Sequence, residues 1–305
     1  MRELTVGKLT YKSSERLNDK KYINKYLEEL NSQLEPGEFI EVFFESKDQR
    51  RRRILNKFPF PFSNIYYPID FILKRVFPKL WLTQKIYFGI TKGRNRVLSE
   101  SEALGRVASC GFKILDIEYK GNLTYVWAEK CDRPALNMSP TYGALVHLNR
   151  VGYGGKLFKV YKFRTMHPYA EYLQKYIYER NQLREGGKIA DDFRVTSYGR
   201  WMRRLWIDEF PMFYNLFRGE IKLVGVRPLS EHFFNLYPPE VKELRTRTRP
   251  GLLPPFYADL PKTLDDVIES ERIYLNQYFR NPWRTDWIYF WRAVYNIFIR
   301  RARSN

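Results

Sequence analysis

Twenty-five residues constrain this chain more than any other stretch: Leu205 to Leu229, LWIDEFPMFYNLFRGEIKLVGVRPL. Asp208 and Glu209 stand just before Pro211, whose fixed φ suits the first turn of a helix. The spacing therefore predicts both carboxylates at the N-terminus of a helix through Asn215 and Leu216. Gly219 is placed to end that helix. Ile221, Leu223 and the Val224-Gly225-Val226 turn read as a short buried segment that folds back and carries Arg227-Pro228 toward the same end. Acidic residues in a first helical turn are stabilised by the helix dipole and commonly do nothing else. What changes the weighting is an upstream cluster, KVYKFRTM (Lys159 to Met166) and DDFRVTSYGRWMRRLW (Asp191 to Trp206). It brings Lys162, Arg164, Arg194, Arg203 and Arg204 into range, and so many cations around two carboxylates suit a polyanionic substrate.

The motifs run in a fixed order: RVGYGGKLFKVYKFRTM, then DDFRVTSYGRWMRRLWIDEFPMFYNLFRGEIKLVGVRP, then RTRTRPG. That order resembles the bacterial sugar transferase family, the monotopic polyprenyl-phosphate phosphoglycosyl transferases that start surface glycan assembly. The resemblance covers about half of the chain, from Leu145 onward, and rests on several motifs in sequence rather than one. It implies a transfer of phosphosugar from a nucleotide diphosphate sugar to a polyprenyl phosphate or related lipid phosphate, through a covalent aspartate intermediate. Asp208 matches the nucleophile and Glu209 the residue that helps hold Mg²⁺. A carboxylate that attacks an anion is repelled by it, so the metal, Arg203 and Arg227 are needed to cancel charge and orient the phosphoryl group. Lys162 and Arg164 would grip phosphate oxygens, Arg164 through its planar fork. Arg203 is preferred to Arg204 because the family pattern places an arginine five residues before the nucleophile.

Ordinary readings stand beside these. Lys162 alternates with its neighbours on an expected strand and would equally suit a solvated face. Gly152, Gly154 and Gly155 lie between alternating strands with no helix after them, which predicts a hairpin turn and not a phosphate loop. Two departures from the family touch recognition: GVRP replaces the usual GPRP, and LLPPFYADLPKT follows RTRTRPG. Near the C-terminal end Glu271 precedes Tyr274 where family members tend to have an aspartate, making Glu271 a further site candidate.

A formal net charge of +19 over 305 residues requires an anionic partner, and charge alone does not choose between nucleic acid and an anionic membrane surface. Cys110 and Cys131 have no pairing or metal pattern, and His147, His167 and His232 show no ligand spacing, so a reducing cytoplasm without zinc is expected. Family members usually carry a long apolar segment just before the hairpin. Here residues 123–146 are broken by Glu129, Lys130, Asp132, Arg133, Pro134 and Pro140, and nothing approaches the ~18 consecutive apolar residues of a spanning helix. The first fifteen residues are polar and charged, unlike a signal peptide. Two stretches would replace the anchor: Phe58 to Ile90, dense in aromatics and lysines, and Trp283 to Arg303, an apolar stripe with an arginine-rich end. For the second, a core-packing terminal helix is an equal reading. The expectation is peripheral or monotopic attachment at the cytoplasmic face of a bacterial inner membrane, with no transmembrane span.

Toward the N-terminus a polar helix is expected from about Asp19 to Leu34, then a strand in EFIEVFFES, with Arg50 to Arg53 in a solvated loop. Ser99 to Lys130 reads as a capped helix, a strand, a turn at Gly121-Asn122 and a second strand. That order resembles the closing elements of class I methyltransferases, without the glycine-rich loop that binds their methyl donor, and implies a scaffold without activity. The chain is thus expected to be α+β: a small α/β accessory domain (1–131), a linker (132–144), and a mostly helical transferase domain with a small β-hairpin (145–305). Two rival readings remain open. One is a basic nucleic-acid-binding protein, although no nucleic-acid signature is present, and the other is an inactive member acting as an assembly partner. Neither the sugar, the nucleotide nor the oligomeric state is readable.

Overall fold

The computed structural model describes residues 9–135, 143–174, 176–177 and 192–300. Asp191, most of the expected linker, and Arg301 and Arg303 lie outside the described residues. Two compact units emerge, Met1–Tyr142 with His167–Asn181, and Gly143–Met166 with Gln182–Asn305. The sequence-based limits assign all of 145–305 to the second. Residues 167–181 join the first because their apolar side chains find burial there: Leu173 and Ile177 are buried, and a Cβ on Gly105 would collide with the Tyr169 carbonyl.

In the first unit a four-stranded sheet has the order β1-β2-β4-β3, with β1 Leu9–Lys12, β2 Phe39–Phe44, β3 Phe112–Lys120 and β4 Leu123–Lys130. β1 and β2 are parallel and the other neighbours antiparallel. Strand alternation sets the core: Ile40, Val42 and Phe44 are buried opposite Ala128, Val126 and Thr124, while Phe43 and Tyr125 stack on the other face. Helix α1 (Ile23–Gln33) buries Ile23, Leu27 and Leu30, the i, i+4, i+7 stripe that its sequence carries. The helix expected after Ser99 is α5 (Glu100–Ser109), capped by the Ser99 hydroxyl, which accepts from the Glu102 amide at 3.2 Å.

The arginine run is a correction. Residues Arg50 to Arg53 lie inside helix α2 (Lys47–Lys57), which opens with a capping box between Ser46 and Gln49. Arg50 is buried, with Nε and Nη2 donating to Asp70 at 2.6 and 2.8 Å. Arg53 Nε donates to Glu45 at 2.6 Å. Arg51 and Arg52 are exposed, and the Asp70 carboxylate that holds Arg50 sits on another helix, so the local sequence reads as solvated charge. Helix α3 (Phe62–Phe71) continues through a π turn at Ile72–Val76, and α4 spans Trp81–Thr91.

The second unit begins with the expected hairpin, β5 (Leu145–Val151) against β6 (Leu157–Phe163), in register from Leu145↔Phe163 to Val151↔Leu157. Its turn needs residues at positive φ, which Gly154 and Gly155 supply at 66° and 74°. Helices α6 (Ser197–Arg204) and α7 (Met212–Phe217) follow, then β7 (Lys222–Val224), α8 (Glu231–Asn235) and α9 (Pro239–Thr246). The remainder is β8 (Gly251–Leu253), parallel to β7, with α10 (Phe256–Asp259), α11 (Leu264–Arg280) and α12 (Pro282–Phe298). One core joins Val224, Val226 and Ala258 to Tyr274, Leu275 and Tyr289. A second packs Val160 of the hairpin against Met212, Ile221 and Leu252. The terminal helix divides its apolar residues: Tyr289 and Ala293 are buried, whereas Trp283, Trp287, Trp291, Tyr295 and Phe298 are exposed. The fold is α+β. Among the described residues no helix is long and apolar enough to cross a membrane.

Candidate active site

The Asp208-Glu209 pair lies in a single 3-10 turn, Ile207–Glu209, directly before α7. Trp206 enters that turn at a φ of 61°, a left-handed conformation that costs a bulky residue energy and that its surroundings must hold. Its ring packs 4.5 Å from that of Tyr257. Pro211 caps α7 as its spacing predicts. The arrangement of the two acids is fixed from the hairpin side: Lys162, on β6, donates from Nζ to Glu209 Oε1 at 2.6 Å. Both side chains are largely withdrawn from solvent, so this charge-assisted bond is stronger than a surface pair.

Asn215 sets the register between helix and strand. It is fully buried, its Oδ1 accepts from the Tyr161 amide at 3.1 Å, and its Nδ2 donates to the Lys159 carbonyl at 2.7 Å. An amide side chain three positions into α7 thus clamps the strand on both sides of Val160 and delivers Lys162 to the dyad.

Burial, reinforced by the Glu209 charge, raises the pKa of Asp208 above its ordinary value against the opposing pull of Lys162 and Arg203. Burial likewise lowers that of Arg203, opposed by Asp208 and Asp192 and aided by Arg194 and Arg227. Arg203 Nε donates to Thr165 Oγ1 at 3.0 Å, which ties α6 to the end of the hairpin. Gly199 permits that approach, since a Cβ there would strike the Thr165 carbonyl. The neighbouring Arg204 is exposed.

The remaining expected residues separate. Arg194 is gripped by Asp192, with Nε and Nη2 at 2.9 and 2.6 Å. Arg164 donates from Nε to the Gly143 carbonyl at 2.9 Å, at the entry to the hairpin. Arg227 has an exposed side chain, and its charge is felt by Arg203 and by Arg150. Glu271 does not join the dyad: it is buried and ion-paired with Arg245, whose Nη2 also donates to the Arg227 carbonyl at 2.5 Å. The structure therefore makes Glu271 the anchor of an arginine that holds the Arg227 turn.

Arg150 is a basic residue that sequence reasoning missed. Its pKa is lowered by burial and by the nearby Arg227. The available signal was its place on the hairpin strand just before the glycines. Asn215 was read only as a helix position, and Arg245 only as part of a basic run.

A profile of the bacterial sugar transferase family matches residues 135–300, more than half of the chain. The protein belongs to that family. Among curated relatives, this sugar transferase is 32% identical over 139 residues to the galactosyl transferase CpsE of Streptococcus agalactiae, covering 44% of the chain and 31% of the relative. It is 38% identical over 108 residues to the exopolysaccharide production protein ExoY of Sinorhizobium fredii, covering 34% and 47%. It is 35% identical over 108 residues to the UDP-N-acetylgalactosamine-undecaprenyl-phosphate N-acetylgalactosaminephosphotransferase of Aeromonas hydrophila, covering 34% and 23%. The match spans less than half the length of each of these relatives.

Proposed function

We propose that this sugar transferase moves a phosphosugar from a nucleotide diphosphate sugar to polyprenyl phosphate, with Asp208 as covalent nucleophile, as the first step of a surface glycan. The observation that carries the reading is the half-buried carboxylate pair on one turn, with Glu209 bound by Lys162 and Asp208 under the fields of Lys162 and Arg203. In the first step an Asp208 oxygen attacks the phosphorus next to the sugar. A carboxylate O–P bond forms, and the bond to the bridging oxygen breaks, its electron pair leaving with the nucleoside monophosphate. In the second, an oxygen of the lipid phosphate attacks the same phosphorus and Asp208 departs as carboxylate, leaving a diphosphate-linked sugar on the lipid. Burial and the Glu209 charge raise the Asp208 pKa, which makes its carboxylate more basic than an ordinary aspartate and suits a nucleophile. Arg203, Arg227 and Arg150 oppose the charge on the phosphates, and Lys162 orients Glu209.

Two adjacent carboxylates whose charges repel fit Mg²⁺, which commonly binds one or two protein carboxylates and fills its shell with water and substrate phosphate oxygens. Glu209, beside Asp208, would hold the ion, and bound there it would supply neutralisation of the diphosphate.

We further place the protein at the cytoplasmic face of the inner membrane, attached peripherally. Support comes from the net charge of +19 and from exposed apolar side chains, including Trp283, Trp287 and Trp291 on α12. Basic residues near an anionic surface contribute roughly 1 kcal/mol each, a contribution that salt weakens.

The deciding experiment is Asp208→Asn. The amide is isosteric but does not attack phosphorus, so nucleoside monophosphate release from a panel of nucleotide sugars should fall by about four orders of magnitude or more. The phosphosugar adduct seen by mass on the wild type should vanish while circular dichroism stays unchanged. Turnover at the wild-type rate would sink the mechanism.

A further inference from the structure

The first unit contains a cavity of about 830 Å³, a size that suits a small ligand. Among its lining residues Glu102, 1% exposed, is surrounded by three cations. It pairs with Arg75, with Lys79 Nζ at 3.0 Å and with Arg106 Nη2 at 3.0 Å. One carboxylate cannot balance three, and the excess recurs along the walls: eight lining residues are Lys or Arg, against two Glu. Lys74 shares Asp70 at 3.4 Å, and Lys25 shares Glu29 at 3.8 Å, which leaves the interior positive. Burial, with the like charges of Arg75 and Arg106, pushes the Lys79 ammonium down to about 8 even though Glu102 pulls the other way. An anion with several acceptor oxygens would relieve this crowding.

The same segments that bring cations to the cavity present apolar side chains to the outside. On α4, Gln84, Lys85 and Phe88 line the cavity, and roughly opposite them Leu82, Ile86 and Ile90 form an i, i+4, i+8 stripe beside Trp81, all at least 64% exposed. On α3 and the π turn, Phe62, Ile65, Ile69 and Leu73 are exposed in the same manner, and Lys74 and Arg75 follow them directly into the cavity lining. A soluble partner gains little from so many outward apolar residues bordered by lysines. An interface of acyl chains and phosphate heads matches both halves, because apolar faces enter the hydrocarbon boundary and ammonium groups stay at the phosphate level.

We propose that this cavity receives the phosphate head group of an anionic lipid while the outward faces of α3 and α4 lie in the bilayer surface. The proposal rests on the peripheral attachment inferred above and is separate from the chemistry at Asp208. Its test is flotation of the full chain with vesicles of phosphatidylcholine alone, or doped with phosphatidylglycerol or phosphatidic acid at matched surface charge. The wild type should favour the phosphatidic acid vesicles, whose exposed phosphomonoester fits the cavity, by at least about tenfold over the phosphodiester of phosphatidylglycerol. Lys79→Gln should remove most of that preference and keep the phosphatidylglycerol binding. Lys85→Gln, at an exposed position that leaves the Glu102 cluster intact, should reduce it several-fold if the first variant proves unstable. Changing Leu82, Ile86 and Ile90 together to Ser should weaken binding to every vesicle, with nucleoside monophosphate release in detergent unchanged.

Equal binding to both anionic lipids, or a preference that survives both lysine changes, would overturn the cavity's role with attachment intact. Binding to no vesicle would overturn the attachment reading with it. Glycerol phosphate bound by calorimetry as tightly as phosphatidic acid, and with equal strength by the triple Ser variant, would make this a site for a soluble anion and overturn the lipid assignment.

Discussion

Two ionic clusters, one in each unit, combine carboxylates and cations in different proportions. Around Glu102 a single buried carboxylate meets Arg75, Lys79 and Arg106. Burial alone would raise its pKa, but those cations outweigh it and hold the group well below the usual carboxylate range. Around Asp208 two carboxylates share a turn, and there burial and the Glu209 charge win over Lys162 and Arg203, so the Asp208 pKa rises. The first acid is committed to its partners, and ionised it holds α5 to the π turn. The second is shifted the other way, which a structural ion pair does not require and the nucleophile proposed above would use. A charge cluster is thus read by whether burial or the surrounding charges win at each acid, and the number of charges says little.

The largest effect that would sharpen this contrast is on stability. Glu102→Gln removes the buried carboxylate that Arg75, Lys79 and Arg106 share, and breaking a buried pair costs roughly 3–5 kcal/mol. Urea unfolding followed by circular dichroism should show the loss. Because the folded pKa of Glu102 is depressed, its stabilisation is present above the unfolded carboxylate pKa and is lost as pH falls through the folded value. The wild type should therefore lose stability in acid more steeply than the variant. A variant as stable as wild type would mean that the cluster is held together by packing and not by charge.

Next in size is Glu209, the acid proposed to hold the metal. Glu209→Gln should lower turnover by roughly 10²–10³-fold, the several kcal/mol that a bound cation contributes to phosphoryl chemistry. Chelation of the wild type by EDTA should do the same, with Mg²⁺ restoring the chelated protein and not the variant. Full activity in chelator would remove the cation from the account and leave Glu209 as a partner of Lys162 alone.

These contrasts also show what the sequence carries. The hairpin, its glycine turn, the dyad before Pro211 and the capped helix after Ser99 were legible because each is decided within a few residues by turn chemistry, alternation or capping. Arg50 was misread since Asp70, its partner, is 20 residues away. Glu271 is a further candidate by resemblance, and Arg245, 26 residues upstream, gives no local sign that it will pair with that carboxylate. The Glu102 cluster was invisible for the same reason, with Arg75 at a separation of 27. Arg150 lacked a local signature as well, because its significance comes from Arg227 being folded toward it.

A smaller effect separates field from contact. Lys162→Met removes a cation that lowers the Asp208 pKa. In the proposed mechanism Asp208 works as carboxylate, so activity should fall as pH drops through its pKa, and the variant's acid limb should move to higher pH. Turnover at neutral pH should fall by roughly 10²-fold, as for loss of one charge-stabilising donor. An unmoved limb with reduced turnover would show that Lys162 acts only on substrate and does not tune the dyad.

The smallest effect isolates position from charge. Asn215 carries no charge and is buried, yet it binds the Tyr161 amide and the Lys159 carbonyl on the strand that presents Lys162. Replacement by Ala leaves that amide and carbonyl buried without this partner, at a cost of about 1–3 kcal/mol measured by urea unfolding. If the dyad depends on strand register, turnover should fall under conditions where the variant is still fully folded, because the 2.6 Å bond from Lys162 to Glu209 loses its fixed geometry. The acid limb should then shift in the same direction as in Lys162→Met and by less, since the ammonium remains nearby. Lower stability with an unchanged pH profile would restrict Asn215 to holding the fold and leave the placement of Lys162 to the hairpin itself.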